Sequence, residues 1–247
     1  NISIHCSGSN LGYGGGNNFG LNLIKSNYAL ILNPDTICEK NFFKKIQMYL
    51  NNNIDYAIIG SRYREDNIYK PGGFFDKSKT LDQAQVIDKE KLLKVDWVVG
   101  CSMLINLKKF DSKTIFDENY FLFFEETDLC KSLKKRGESV FLSTNLIIDH
   151  LGFKGSFLSD SNYEIEALKL RNWHFMWSFF YYHKKNDGYF KALKFSLGKF
   201  IRSFFKMLFF TLTFNKKQKI NYLYRFLGLL NSIIGKKSWY RINDQEN

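Results

Sequence analysis

The sequence predicts an α/β fold: a mostly parallel sheet with helices on both faces, continued by an α-helical C-terminal tail. Three observations carry this. Two continuous apolar runs, YALIL at 28–32 and YAII at 56–59, read as strands buried on both faces. An amphipathic stretch at 39–51, with Phe42, Phe43, Ile46 and Leu50 at helical spacing, separates them, and strand–helix–strand order calls for a crossover between parallel strands. After residue 161 the apolar period is helical and stays so to about residue 234.

The remaining elements follow in order. Ile2, Ile4 and Cys6 alternate with polar residues, which predicts a first strand at 2–6. A Gly/Asn loop to about Gly16 leads into a short helix at 17–26. Pro34 stops the strand at 28–32, and Gly60 is expected to end the one at 56–59. Residues 61–94 are polar, with a Pro71-Gly72-Gly73 turn, and read as a long functional loop. Short strands are expected at 95–99, 103–105, 140–142 and 146–148. A helix at 127–136 is closed by Gly137. The division is therefore a catalytic-type domain over 1–160 and a helical tail over 161–247.

Charge separates the same two parts. The 247 residues carry 36 Lys+Arg against 24 Asp+Glu, a net charge of +12, with 45% hydrophobic residues, enough for a packed core. Residues 1–170 hold 21 of each sign, so the whole excess lies in 171–247. That distribution argues against a nucleic-acid partner, whose binding surface would be basic throughout. The four cysteines stand singly, without the C-x-x-C spacing of a zinc site, and are expected to be buried thiols. No stretch reaches 18 uninterrupted apolar residues, so no spanning helix is expected.

Four motifs carry chemistry. NLGYGGGNNFG at 10–20 lies between a strand and a helix, where glycines let backbone N–H groups approach a phosphate. It is not the dinucleotide pattern, because Asn17 stands where the last glycine would be, and it lacks the Gly-Lys-Ser/Thr of a P-loop. Asn33-Pro34-Asp35 follows the buried strand, at the carboxyl end where α/β sheets bind ligands, and a carboxylate there can hold a divalent cation against a diphosphate. FDENYFLFFEETDLC at 116–130 leads aromatic residues directly into Glu125, Glu126 and Asp128; a carboxylate held against aromatic groups acquires a raised pKa and can serve as a general base. His150, in HLGFKGS, ends the last strand beside glycines and could bind a metal or phosphate.

In their order and spacing these motifs, together with VDWVVGCSMLI at 95–105, resemble glycosyltransferase family 2, in particular its bacterial rhamnosyltransferase-like branch, over about residues 1–156. The resemblance implies a GT-A fold and inverting transfer of a sugar from a nucleotide-diphosphate donor, such as a dTDP-rhamnose-like sugar, to an acceptor hydroxyl on a lipid-linked or surface glycan. It implies nucleotide-sugar contacts at Asn10, Gly12, Gly14, Asn18, Asn33 and Asp35. Mg²⁺ or Mn²⁺ would sit on Asp35 and His150, the acceptor would be lined by Trp97 and Gly100, and the catalytic acids would be Glu126 and Asp128. Glu126 stands where the family usually has Asp, and Ser132 where it commonly has Arg. Family members begin with a strand and loop that hold the base, and the present chain is expected to enter after them. The alternative reading is a catalytically inactive membrane-surface or glycan-binding module built on this fold.

On a helical wheel of 189–210, Lys191, Lys194, Lys199, Arg202 and Lys206 fall within an arc of about 140°. Leu193, Leu197, Phe200, Ile201, Phe204 and Leu208 occupy the other side. This pattern suits the inner face of a bacterial cytoplasmic membrane, with the protein cytoplasmic and peripheral. The competing expectation is a helix packed on the protein with a solvated basic face.

Overall fold

A computed structural model describes residues 2–74, 86–87, 92–152 and 161–241. The chain forms two compact units. The first comprises Asn1–Asn10, Gly15–Asp117 and Glu126–Phe157, and the second Leu11–Gly14, Glu118–Glu125 and Leu158–Asn247.

The first unit is built on an eight-stranded sheet containing β1 (Tyr28–Leu32), β2 (Thr36–Cys38), β3 (Ile58–Glu65), β4 (Ile68–Lys70), β6 (Val86–Ile87), β7 (Leu92–Lys94), β9 (Ser102–Asn106) and β10 (Val140–His150). Its order is β1-β9-β3-β10-β7-β6, with β2 added to β10 and β4 to β3; β5 (Gly73–Phe74) and β8 (Trp97–Val98) form a separate pair. The expected mostly parallel sheet is not what forms. Among the described residues only β3 and β10 pair in parallel. The reason is β9, which lies antiparallel to both β1 and β3 and separates them. Those two strands still share a direction, as the crossover through the intervening helix requires.

That helix, α2 (Phe42–Asn51), buries Phe42, Ile46 and Tyr49 in a core with Tyr56, Ile59, Leu104, Phe141 and Leu146. It starts three residues later than the apolar pattern suggests, after Asn41 in a left-handed conformation (φ 69°). Gly60 does not end β3. It is a close-packing point inside the strand, where a Cβ would lie 2.6 Å from Cβ of Val98. Similarly, the two strands expected at 140–148 are one strand, β10, whose register on β3 shifts between Ser143 and Ile147. Residues 2–6 form no strand; Ile2 and Ile4 are 95% and 93% exposed, so the alternation there has no sheet to pair with. α1 (Gly12–Leu23) begins earlier than expected, within the glycine run. α3 (Glu125–Lys135) closes as its sequence suggests: Gly137 has φ 79°, and Glu138 N–H reaches back to Leu133 O at 3.0 Å. Of the cysteines, Cys101 and Cys130 are buried and Cys38 is half-buried, but Cys6 is exposed, contrary to expectation.

The second unit is a set of three helices, α4 (Ser161–Asp187), α5 (Tyr189–Leu212) and α6 (Lys216–Ile233). Met176, Phe180, Ala192 and Leu229 form its centre, with Leu193, Phe200 and Ile233 packed around them. α4 and α6 approach backbone to backbone at Gly228, where a Cβ would meet Trp173 O at 2.1 Å. Glu118–Glu125 lies against α4: Tyr120 meets Tyr181 edge-on at 4.9 Å, and Ser178 Oγ donates to Leu122 O at 2.9 Å.

His174 of α4 is fully buried. Its Nε2–H donates to Tyr240 O (2.8 Å), which leaves Nδ1 to accept from Ser238 Oγ (3.1 Å), so both nitrogens are satisfied with the ring neutral. Burial, aided by the charge of Arg241, pushes its pKa down to about 4. An unfolded histidine titrates near 6.5, so the folded state alone stays neutral between these values. This unit should therefore keep its full stability above about pH 6.5 and lose on the order of 3 kcal/mol as pH falls to about 4. Urea unfolding of the protein at pH 7 and pH 4.5 checks it, with His174→Gln expected to flatten the dependence.

Candidate active site

The candidate site forms at the carboxyl end of β1 and the ends of β3 and β10. Asn33-Pro34-Asp35-Thr36 is a β-turn: Thr36 N–H and Oγ1 both donate to Asn33 O, at 3.2 and 2.6 Å, with Pro34 at the second position where its fixed φ suits the turn. The turn is tied on both sides, by Asn33 N–H to Cys101 O (3.0 Å) and by Leu151 N–H to Asp35 O (2.8 Å). β2 then pairs with β10, bringing Thr36 opposite His150.

As a result Asp35 Oδ2 lies 3.4 Å from His150 Nε2. The other ring nitrogen, Nδ1, lies 3.0 Å from Glu65 Oε1. Both flanking groups are carboxylates, which only accept, so Nδ1–H donates to Glu65, and Nε2, when it carries no proton, has its lone pair on the Asp35 side for a cation between them. Tyr63 packs edge-on against the same imidazole, with ring centroids 5.9 Å apart. One residue back on each strand, Arg64 and Asp149 form a two-bond ion pair, at 2.6 and 2.8 Å. Successive strand side chains alternate faces, so β3 and β10 are clamped on one face by Arg64–Asp149 and on the other by Glu65–His150.

The geometry fits a small divalent cation. Asp35 Oδ2 and His150 Nε2 converge, and a histidine held by a carboxylate at its other nitrogen is how metal-ligating imidazoles are oriented. Among the described residues no group of three or more His, Cys, Asp or Glu could enclose a metal. Two protein donors suit Mg²⁺ or Mn²⁺, which complete their coordination with water and substrate phosphate oxygens.

Glu126 stands in the first turn of α3. Loss of water around its carboxyl pushes its pKa up, while the backbone N–H groups of Glu126 and Thr127 pull against that shift. The backbone enters this turn through two consecutive left-handed residues, Phe123 and Phe124, both at φ 71°. Such a conformation is costly for bulky side chains and persists only where its surroundings hold it. Here Phe124 is enclosed by Phe175, Phe179 and Tyr182. Burial pushes the Cys101 thiol up to about 12, with Asp35, Glu126 and Glu65 adding to it electrostatically. The buried thiol therefore stays protonated, and it feels the charges of Asp35, Glu126 and Glu65.

The other sequence-predicted residues are placed as follows. Gly100 is buried next to Cys101, and Trp97 stacks on Phe74 with centroids 4.3 Å apart. Asp96, beside it, pairs with Lys134 of α3. Asp128 is buried in α3. Asn10 lies in an exposed segment ahead of α1. Gly12 and Gly14 stand in the first turn of α1, where Gly12 (φ 74°) allows Phe121 O to approach: a Cβ would be 2.3 Å away, and Tyr13 N–H donates to that same oxygen at 3.1 Å. The Asn18 side chain is fixed structurally, donating to Phe116 O and accepting from the N–H groups of Ile115 and Phe116. Sequence reasoning missed Glu65 and Arg64, because it ended the strand at Gly60. The signal was present in the alternating polar string SRYRE that continues the apolar run.

No family model matches the chain. Over 153 residues it is 28% identical to the low-salt glycan biosynthesis hexosyltransferase Agl10 of Haloferax volcanii, a match covering 58% of this chain and 49% of that protein. The chain thus spans about half the length of the curated relative it matches, and the likeness is to an enzyme that transfers a hexosyl group.

Proposed function

We propose that this protein is an inverting glycosyltransferase that moves a sugar from a nucleotide-diphosphate donor to an acceptor hydroxyl. The observation that carries the reading is the convergence of Asp35 and His150 beyond the carboxyl end of β1, and the desolvated carboxyl of Glu126 in the first turn of α3 agrees with it. The similarity to a hexosyltransferase supports it. A dTDP-rhamnose-like donor and a lipid-linked or surface glycan acceptor, met at the inner face of the cytoplasmic membrane, are the finer reading.

In this scheme Asp35 and His150 hold Mg²⁺ or Mn²⁺, with Asn33 beside them, and Glu65 keeps the imidazole turned toward Asp35. When bound, the cation supplies neutralisation of charge on the donor diphosphate. Trp97 and Gly100 line the acceptor. Glu126 accepts the proton of the acceptor hydroxyl as its oxygen bonds to the anomeric carbon. The bond from that carbon to the diphosphate oxygen breaks on the opposite side, and nucleoside diphosphate leaves. Asp128, buried in the same helix, positions the turn that carries Glu126.

The test is nucleoside diphosphate release by the full-length protein from a panel of nucleotide-diphosphate sugars, with and without Mg²⁺ or Mn²⁺. Asp35→Ala should reduce turnover by about 100-fold or more, as expected when charge stabilisation at a leaving group is lost. Unchanged turnover in Asp35→Ala would remove the assignment. Donor binding without any turnover by the wild type would favour the inactive binding module.

A further inference from the structure

The helical unit has a surface that its own core does not use. On α5 the buried residues are Ala192, Ser196 and Ser203, a narrow small-residue stripe. Leu193 and Phe200 pack at its edge, so part of the apolar side expected from the sequence does turn inward. The rest turns outward. Phe190, Leu197, Ile201, Phe205, Leu208 and Leu212 are all exposed, Phe190 by 84% and Leu212 by 78%. At 100° per residue they lie within about 80° of one another, opposite the buried stripe. This ridge runs to the turn between α5 and α6, where Phe214 is 93% exposed.

Charge surrounds the ridge with a single sign. Lys191, Lys194 and Arg202 are exposed on the same helix, and Lys216 and Lys217 are exposed at the start of α6, just beyond Phe214. Between Gly188 and Asn243 the sequence has twelve Lys and Arg and no Asp or Glu. Other cations lie over rings of neighbouring helices, Lys199 over Phe179 (4.9 Å) and Lys206 over Tyr222 (5.1 Å). None of the described helices is long and apolar enough to cross a membrane.

We infer that α5 and the α5–α6 turn bind the surface of an anionic lipid bilayer, with α5 lying in the plane of the interface. The ridge enters the boundary between headgroups and acyl chains, and the lysines and arginines meet anionic headgroups. Lys194, which lies among the ridge residues, reaches the headgroups by extending its aliphatic stem. Charge complementarity decides the occupant: a second copy of the same face would bring like charges together, whereas an anionic bilayer satisfies ridge and cations at once. The inference stands on this unit alone and does not depend on the proposed transfer reaction.

The test is flotation of the full-length protein with vesicles of phosphatidylcholine and with vesicles containing phosphatidylglycerol as well. Flotation is expected with the anionic vesicles and should weaken as salt rises. Lys191→Gln/Lys194→Gln/Arg202→Gln, at exposed positions that cannot disturb the core, should lower partitioning on the order of 100-fold, from about fivefold for each cation. Ile201→Glu/Phe205→Glu should abolish it with helix content unchanged by circular dichroism. Equal flotation with neutral vesicles overturns the inference, as does absence of flotation. A concentration-dependent dimer dispersed by Ile201→Glu/Phe205→Glu, without lipid binding, would assign the face to a second copy of the chain instead.

Discussion

Glu126→Gln should lower turnover by about 10²–10⁴-fold, the contribution of a positioned general base. That corresponds to roughly 3–5.5 kcal/mol of barrier. The substitution keeps the size and the helix position of the side chain and removes only the ability to take a proton. The pH dependence separates this role from a structural one. Desolvation raises the Glu126 pKa, so the ionised form is complete only at a pH above the ordinary glutamate value of about 4.3. The wild-type rate should therefore fall as pH drops through that raised pKa, and this acid limb should vanish in Glu126→Gln. Stability should not fall with it. Ionising a desolvated carboxyl costs folding free energy as pH rises, and the neutral amide does not bear that cost. Glu126→Asp retains a carboxylate on a chain shorter by one methylene and should keep far more activity than Gln. Initial rates of nucleoside diphosphate release between pH 5 and 9 in the full-length protein decide the matter, and a wild-type rate in Glu126→Gln would exclude it as the base.

Trp173→Ala should destabilise the helical unit by about 3–5 kcal/mol, the range for deleting a buried aromatic side chain. Trp173 is 1% exposed and sits at the crossing of α4 with α6. Its ring meets His174 at 4.9 Å, Trp239 at 5.6 Å and Tyr240 at 5.9 Å, so it joins α4 to the segment that follows α6. The glycine at 228 lets the α6 backbone come so close to Trp173 O that neither helix can shift inward to fill the void. Urea unfolding followed by circular dichroism measures the loss. Trp177 and Trp239 remain in this unit as fluorescent reporters, and Trp97 reports on the other. A change below about 1 kcal/mol would mean that the unit collapses around the deletion.

The strand and helix alternation of the first half was legible because YALIL and YAII are apolar without interruption, and because α2 carries a clear helical stripe. Strand direction was not legible. Periodicity reports which residues are buried, and β9 is as apolar as a parallel strand would be, so nothing in SMLIN says that it enters between β1 and β3 head to tail. The end of β3 is not legible either, because a glycine that permits close packing looks the same in sequence as one that breaks a strand. For the site, Asp35 and His150 were singled out 115 positions apart, and the β2–β10 pairing places them 3.4 Å from each other. Glu65 escaped notice since its role depends on the β3–β10 register, which no local pattern encodes. Asn18, a polar residue in a glycine-rich stretch that suggests a ligand role, has its amide engaged by the backbone at 115–116, a partnership 97–98 positions away that no local pattern encodes.

The placement of β9 also sets an order of events in time. Each β1 residue finds its partner about seventy positions later in the chain, and β3 waits for the same strand. At a synthesis rate of about 5–20 residues per second, β1 is complete roughly 4–15 s before β9 has been made. During that interval β1 has no strand to pair with, and β3 has only the short hairpin that its far end makes with β4. Joining of β1 to the rest of the sheet therefore waits until the chain has been made through Asn106, and the tie from Leu151 N–H to the turn bearing Asp35 comes later still.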